Sequence, residues 1–122
     1  MSQMRALDPS FPIEQQLSIG ASNITLVNLF TLDIADEARF LQAWQNDAAF
    51  MKLQPGFIST QLHRALGESP TYLNCAVWET TDLFRAAFTH PAFRAKLSDY
   101  PSSAVASPHL FRKVAVAGIC VA

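Results

Sequence analysis

Apolar and polar residues change their spacing several times along the chain, and each change predicts a new element of secondary structure. Three stretches have the β-branched and aromatic content, or the alternation, that is typical of strands: Ile24–Leu32, Phe57–Leu66 and Tyr72–Glu79. A fourth apolar run, Leu110–Val121, predicts a last strand. The preceding stretch, Pro101–Pro108, is rich in Ser, Ala and Pro and therefore predicts a loop.

Two amphipathic helices are predicted between these strands. The first begins after Asp33, which can cap it, and its apolar residues recur at helical spacing until a Pro-Gly pair ends it. The second begins at Thr80 or Thr81 and continues its apolar face to Tyr100. A His-Pro pair interrupts this second helix, because the residue before a proline avoids helical geometry.

The predicted order is strand, helix, strand, strand, helix, strand, after an N-terminal arm over residues 1–20 with a short extended piece at Leu17–Ile19. This order predicts an α+β domain over residues 21–122 with the ferredoxin-like split βαβ arrangement, in which helices cover one face of an antiparallel sheet. The first, third and fourth strands are apolar on their second face too. Because that face would expose a large apolar patch, we expect a homodimer formed through the sheet faces.

Composition and charge narrow the class of protein. The chain has 122 residues, half of them apolar, which suits a single domain with a real core. Its net charge is −1 and its Lys and Arg residues are scattered, which argues against nucleic-acid partners. No apolar run approaches the roughly 18 residues of a membrane span, and the first residues lack a signal-peptide core, so we expect a cytoplasmic protein.

The stretch Tyr72–Glu79 carries an amide and an indole on one face. Alternation places Asn74 and Trp78 together, and Asn28 of the first strand joins them if this face is covered by helices. A buried amide without partners costs about 1–3 kcal/mol, so these groups are either satisfied within the sheet or face a cavity. Four apolar side chains would roof such a chamber and contact a flat hydrophobic ligand: Trp44, Phe84, Phe88 and Leu97.

Several motifs resemble, in their order and spacing, the antibiotic-biosynthesis monooxygenase family over about residues 24–116. They are Val-Asn-Leu-Phe from Val27, Pro-Gly-Phe-Ile-Ser-Thr-Gln-Leu-His from Pro55, Asn-Cys-Ala-Val-Trp-Glu from Asn74, Phe-Arg-Ala-Ala from Phe84 and His-Pro-Ala-Phe-Arg from His90. The resemblance implies a small dimeric α+β barrel. It also implies an enzyme that oxidises phenolic or anthrone rings to quinones with molecular oxygen as co-substrate, without flavin or metal.

The resemblance extends to individual residues. Three of them match the two amides and the tryptophan that family enzymes place around substrate and oxygen: Asn28, Asn74 and Trp78. His63 matches a histidine found near the pocket in some members, and it is the candidate base near neutral pH. Phe84 stands where certain members have a tyrosine, and Leu97 or the adjacent Lys96 stands where they have an arginine. A proton relay through that tyrosine is therefore not available to this chain.

Two other functions are compatible with the same pattern. Haem-degrading relatives also use a first-strand asparagine, but they require a tryptophan and a haem-ligating histidine where this chain has Ala87 and Leu97. Haem ligation would then need His90 or another displaced residue. The second alternative is a dimeric protein that binds a hydrophobic metabolite without turning it over, because a fold does not by itself determine a function.

Overall fold

The computed structural model describes residues 3–122, which form a five-stranded sheet with helices packed on it. The strands are β1 (Gln3–Met4), β2 (Ser22–Thr31), β3 (Phe57–Arg64), β4 (Thr71–Thr80) and β5 (Val105–Phe111). The helices are α1 (Ile13–Gln16), α2 (Glu37–Met51), α3 (Thr81–Phe88) and α4 (Pro91–Lys96). Short 3₁₀ turns precede α2 at Ile34–Asp36 and follow α4 at Leu97–Asp99.

The sheet has the order β1-β5-β2-β4-β3. Strands β2 to β5 are antiparallel throughout, and β1 joins the outer edge of β5 in parallel. Without β1, this is the ferredoxin-like arrangement, so the predicted fold class is confirmed. The two central strands are β2 and β4, which are the strands that carry the predicted amides.

The face of the sheet that the helices cover is set by the alternation in β2 and β4. Ile24 pairs with Trp78, Leu26 with Ala76 and Phe30 with Tyr72, and all six residues are buried. One core cluster surrounds Trp78, and a second one joins residues of β2, α2 and β4 with residues that follow β2 and precede β5: Phe30, Leu32, Phe40, Ala43, Tyr72, Tyr100 and Ala104. Burial of each large apolar side chain contributes about 1.5–3 kcal/mol.

Local capping explains where the helices begin. Thr80 Oγ1 accepts a hydrogen bond from Leu83 N at 3.1 Å, and His90 Nδ1 accepts one from Ala92 N at 3.0 Å. Pro91 fits the first position of α4, since it lacks an N–H that would otherwise be unsatisfied there. The interruption predicted at the His-Pro pair is therefore confirmed.

The N-terminal arm differs from its prediction. Leu17–Ile19 is not extended, because α1 occupies the preceding residues and buries Ile13 and Leu17 in the main core. The Gln16 side chain pairs with the free edge of β5: its Oε1 accepts from Leu110 N at 2.8 Å, and its Nε2 donates to Leu110 O at 3.0 Å. Two parts of the arm thus cover the outer edge of β5: β1 pairs with its first residues, and Gln16 bonds to Leu110 near its end.

The last strand also differs from its prediction. β5 begins at Val105, inside the predicted loop, and ends at Phe111, before most of the predicted run. Pairing with β2 decides this, because residues 105 to 111 have partners there whereas residues 112–122 are exposed. Pro108 is tolerated because its nitrogen, like the backbone groups of Ala106 and Leu110, is on the outer edge and away from β2.

Candidate active site

Two adjoining cavities lie between the sheet and the helices. The outer lobe has a volume of about 350 Å³, and its lining includes Met4, Phe93, Leu97, Tyr100 and Pro108. The inner lobe has a volume of about 50 Å³ and is lined mainly by the central strands and by aromatic side chains. Five residues line both lobes: Asn28, Phe30, Asp47, Phe88 and Phe93. The predicted chamber is therefore two spaces that share a polar and aromatic border.

The inner lobe contains the predicted β4 residues. Trp78 is 1% exposed, and the ring centroids of Phe57 and Phe84 lie 5.5 Å from its own in edge-to-face geometry. Asn74 Oδ1 accepts a hydrogen bond from Thr60 Oγ1 at 2.6 Å. This bond directs the amide oxygen toward β3, so the amide nitrogen of Asn74 is the group left to donate elsewhere. Thr60 was not predicted as a site residue.

Asn28 lies directly opposite Asn74 in the sheet register, at the border of the two lobes. Its Oδ1 is buried and has no hydrogen-bond partner among residues 3–122. A buried acceptor of this kind costs free energy unless a ligand or water supplies a donor. Of the two readings open for these amides, Asn74 is satisfied in the sheet through its oxygen, and Asn28 faces the cavity.

Asp47 is a site residue that the sequence analysis missed. It lies on α2 and lines both lobes, and Tyr100 Oη donates to its Oδ2 at 2.7 Å. Its Oδ1 is buried and unpartnered within the described part of the chain. Burial raises the pKa of Asp47 from its ordinary 3.8 to about 6, although the Tyr100 hydrogen bond and the charge of Lys96 oppose that rise.

A signal for Asp47 was present in the sequence. It lies three residues after Trp44 and therefore on the same side of the helix, within the apolar stripe that runs from Phe40 to Met51. A carboxylate at such a position must be buried, paired or both, and it is therefore a candidate for a perturbed group. Burial also raises the pKa of its partner Tyr100 well above the ordinary value.

The four residues predicted to contact substrate all line the cavities. Trp44 and Phe84 border the inner lobe, Leu97 borders the outer lobe, and Phe88 borders both. Phe84 and Phe88 stack with their ring centroids 5.2 Å apart. These side chains give the chamber its apolar character, and their roles toward a substrate remain predictions.

Two histidines considered in the sequence analysis lie away from the chamber. His63 is exposed and pairs with Leu73 on the sheet face opposite Asn74, and its Nδ1 lies 3.3 Å from Leu73 O. The sheet therefore separates His63 from a ring held in this chain's chamber, contrary to its prediction as the base. His90 uses its Nδ1 to cap α4, and neither lobe is lined by it.

A second polar cluster lies at the start of α2. Glu37 accepts two hydrogen bonds from Arg64, at 2.7 Å from Nε and 3.2 Å from Nη2, and a third from Tyr72 Oη. The hydrogen bonds from Arg64 and Tyr72 hold the pKa of Glu37 below its ordinary value. This cluster joins α2 to β3 and β4 and lines neither lobe.

The described residues form neither a metal site nor a membrane-spanning helix. Over residues 3–122, no three His, Cys, Asp or Glu side chains come together as a set that could hold a metal ion. None of the helices in the same span has the length and apolar character needed to cross a membrane. The chamber is the feature with convergent polar groups in an apolar surround.

The chain resembles known proteins in sequence and in fold. A deoxynogalonate monooxygenase from Streptomyces nogalater is 37% identical over 75 residues, which are 62% of this chain and 63% of that protein. The chain thus matches less than two thirds of that relative's length. The crystal structure of SnoaB, described as a cofactor-independent oxygenase from the same organism, superposes with a TM-score of 0.72 at 31% identity, covering 80% of this chain and 99% of SnoaB.

A further crystal structure is that of a protein from Shewanella loihica PV-4 for which a monooxygenase function has been proposed. It superposes with a TM-score of 0.68 at 26% identity and covers 81% of this chain and 100% of its own. The family model described as "Antibiotic biosynthesis monooxygenase" matches residues 23–96, more than half of the chain and the part that contains most of the chamber. The protein therefore belongs to the antibiotic biosynthesis monooxygenase family.

Proposed function

We propose that this protein is a cofactor-independent monooxygenase that oxidises a phenolic or anthrone-type ring to a quinone with molecular oxygen. The observation that carries the proposal is the pair of adjoining lobes, one sized for a ring system and one lined by Asn74 and Trp78. Membership of the family and the similarity to SnoaB support the reaction class.

The volumes of the two lobes suit binding of an aromatic substrate in the outer lobe and of oxygen in the inner one. The outer lobe, about 350 Å³, is at the lower end of the range of about 300–1,000 Å³ usual for small-molecule pockets. Its aromatic and aliphatic lining favours a flat apolar ring system. The inner lobe, about 50 Å³, leaves room for a diatomic molecule next to that ring. In this proposal the substrate binds in the outer lobe and oxygen binds in the inner one.

The polar groups of the inner lobe suit the charge that such a reaction develops. An ionised ring can pass one electron to oxygen, and recombination of the two radicals gives a peroxide that loses water to form the quinone. The Asn74 amide nitrogen and the Trp78 indole N–H are neutral donors in a largely apolar lobe, and a positioned donor in such a site typically lowers the barrier by about 3 kcal/mol. Asn28 Oδ1 can accept a hydrogen bond from a ring hydroxyl.

The test is oxygen uptake by metal-free, flavin-free protein with dithranol or a related anthrone. We expect wild type to form the quinone, and Asn74→Ala and Trp78→Phe to lose about a hundredfold in rate, because each change removes a donor. Asn46→Ala is the matched control, since Asn46 is an exposed amide on α2 that bonds to Gln42. Unchanged rates in both chamber variants would contradict the assigned roles.

A different result would favour a different class of function. An anthrone that quenches tryptophan fluorescence without oxygen uptake, across a panel of phenols and anthrones, would indicate a protein that binds hydrophobic ligands without turnover. Trp44 and Trp78 are the only tryptophans in the sequence, and both line the inner lobe, so ligand entry should be visible in this signal.

We also propose that the protein is a homodimer that buries the uncovered sheet face. Val27, Leu29, Cys75 and Val77 are only half-buried there, and beyond β5 the side chains of Ile119 and Val121 are 82% and 80% exposed. Sedimentation velocity at micromolar concentration should give a dimer for wild type and a monomer for Val77→Asp. Ile34→Asp, at an exposed apolar residue before α2, is the control that should stay dimeric.

A further inference from the structure

The proposed reaction begins with loss of a proton from the ring, and His63 lies on the wrong side of the sheet to accept it. Among the groups that line the two lobes, Asp47 is a carboxylate with one oxygen already engaged and the other free. Tyr100 Oη donates to Oδ2 at 2.7 Å, while Oδ1 is buried and unpartnered within residues 3–122. A hydrogen-bonded carboxylate with an unused buried oxygen at a ligand cavity is arranged to take a proton.

We propose that Asp47 is the general base of this site and that Tyr100 is the positioning residue that holds its carboxylate. The inference rests on the proposed function, because it assumes an acidic phenol or anthrone in the outer lobe. Asp47 Oδ1 takes the proton from the ring hydroxyl of a phenol or from the methylene carbon of an anthrone. The carboxylate becomes a carboxylic acid and the ring becomes an anion.

The following steps balance with molecular oxygen as the oxidant. The ring anion gives one electron to oxygen, and the resulting radical and superoxide join through a new carbon–oxygen bond. The peroxide anion takes back the proton held by Asp47, which regenerates the carboxylate. For an anthrone, the hydroperoxide then loses its second methylene hydrogen as a proton while the O–O bond breaks and the terminal OH group leaves as hydroxide. Proton and hydroxide make one water molecule, and a carbonyl group is left at the methylene carbon.

The surroundings of Asp47 are suited to reversible protonation. From α4, Arg94 lines the outer lobe with its guanidinium 5.4 Å from the centre of the Phe88 ring, and the charge of Lys96 favours the carboxylate. From the sheet, the lining residues near Asp47 are uncharged, including Asn28 and Phe30. Within residues 3–122, no arginine or lysine hydrogen-bonds Asp47, and burial raises its pKa to about 6, so a base near neutral pH is available.

The first experiment separates proton removal from oxidation. Anthrone is incubated with the protein in D₂O under nitrogen, and deuterium entering its methylene position is measured by mass spectrometry. We expect wild type to catalyse the exchange and Asp47→Asn to lose about a hundredfold in exchange rate, in line with the usual contribution of a general base. Glu68→Gln, at an exposed carboxylate in the β3–β4 turn, should exchange like wild type.

The second experiment is the pH profile of oxygen uptake in air. For wild type, kcat/KM should fall below a pH of about 6 as Asp47 becomes protonated, and this acid limb should be absent in Asp47→Asn. In Tyr100→Phe the limb should move to higher pH, because the Tyr100 hydrogen bond favours the charged carboxylate. A merely structural role for Tyr100 would change the rate without moving the limb.

The outcomes distinguish the two proposals. Exchange that depends on Asp47 without oxygen uptake supports the base and overturns the monooxygenase. Oxygen uptake with unchanged exchange and an unchanged acid limb in Asp47→Asn overturns the base and leaves the monooxygenase standing. Absence of exchange in wild type overturns the base as well. If Asp47→Asn does not fold, an unmoved acid limb in Tyr100→Phe overturns the proposal by itself.

Discussion

Helix α2 carries two carboxylates that each accept a hydrogen bond from a tyrosine, yet their pKa values move in opposite directions. Glu37 is held by Arg64 as well as by Tyr72, and its pKa is lowered. Asp47 has Tyr100 as its hydrogen-bond donor and no arginine partner in the described part of the chain, and burial raises its pKa to about 6. Both carboxylates accept a hydrogen bond from a tyrosine, so a tyrosine does not explain their opposite pKa shifts. The shifts come from Arg64 beside Glu37 and from the burial of Asp47.

The comparison separates a structural carboxylate from a reactive one. Glu37 is ionised at neutral pH at little cost, because two guanidinium N–H groups compensate its charge. Asp47 is ionised at neutral pH against its surroundings, which lowers the stability of the fold. A buried group that costs stability and lines a ligand cavity is more consistent with function than with folding.

The largest effect on stability is expected for Asp47→Asn. The folded-state pKa of about 6 exceeds the ordinary 3.8, so the folded protein is most stable where Asp47 is protonated and loses stability as pH rises between these values. Asparagine removes this cost, so at pH 8 the variant should be more stable than wild type by about 3 kcal/mol. Urea unfolding at pH 8 and pH 3.5 measures it.

The difference between the Asp47→Asn variant and wild type should vanish at pH 3.5, where the wild-type carboxyl is neutral. Glu68→Gln is the control and should not differ from wild type at either pH. A variant that is less stable than wild type at pH 8 would mean that the charge of Asp47 is compensated after all.

A smaller effect is expected for Tyr100→Phe. This change keeps a ring next to Phe30 and Phe40 but removes the donor to Asp47 Oδ2. The free energy of unfolding should fall by about 1 kcal/mol at pH 8 and by less at pH 3.5, because a hydrogen bond to a charged acceptor is the stronger one. The pKa of Asp47, followed by NMR of the carboxyl carbon, should rise further. An unchanged pKa would refute the pairing.

The smallest effect is expected for Glu37→Gln. Because the pKa of Glu37 is lowered in the folded state, its contribution is present above the ordinary value of 4.5 and is lost as pH falls through the lowered value. The variant should therefore have a slightly lower urea midpoint at pH 7 and the wild-type midpoint in strong acid. Asp82→Asn breaks an exposed pair with Arg85 and is the control, with no shift expected.

The sequence allowed the central strands and their shared face to be predicted. Alternation placed Asn74 and Trp78 on one face of their strand, and the expectation that helices cover this face added Asn28, which the register then put opposite Asn74. The same reasoning did not identify Asp47, because the buried face of α2 was predicted from its apolar residues only. The hydrogen bond that identifies Asp47 joins it to Tyr100, far along the chain, and no local pattern contains it.

The prediction for the C-terminal part was wrong for a different reason. The run from Leu110 is the more apolar one, but an apolar pattern does not say whether its partner belongs to the same chain. The less apolar stretch Val105–Phe111 forms the strand because β2 offers it a ladder from Thr31 to Thr25. Tertiary pairing overrides intrinsic strand propensity here, as it often does.

The two edges of the sheet are chemically unequal. On the β5 side, β1 covers the first residues, Pro108 presents no donor and the Gln16 amide occupies both backbone groups of Leu110. A further strand arriving at that edge finds no continuous ladder to join, which is how sheets resist uncontrolled growth by strand addition. The N-terminal arm therefore hinders strand addition at the β5 side of the sheet. Strand addition remains possible at the other edge, which is β3.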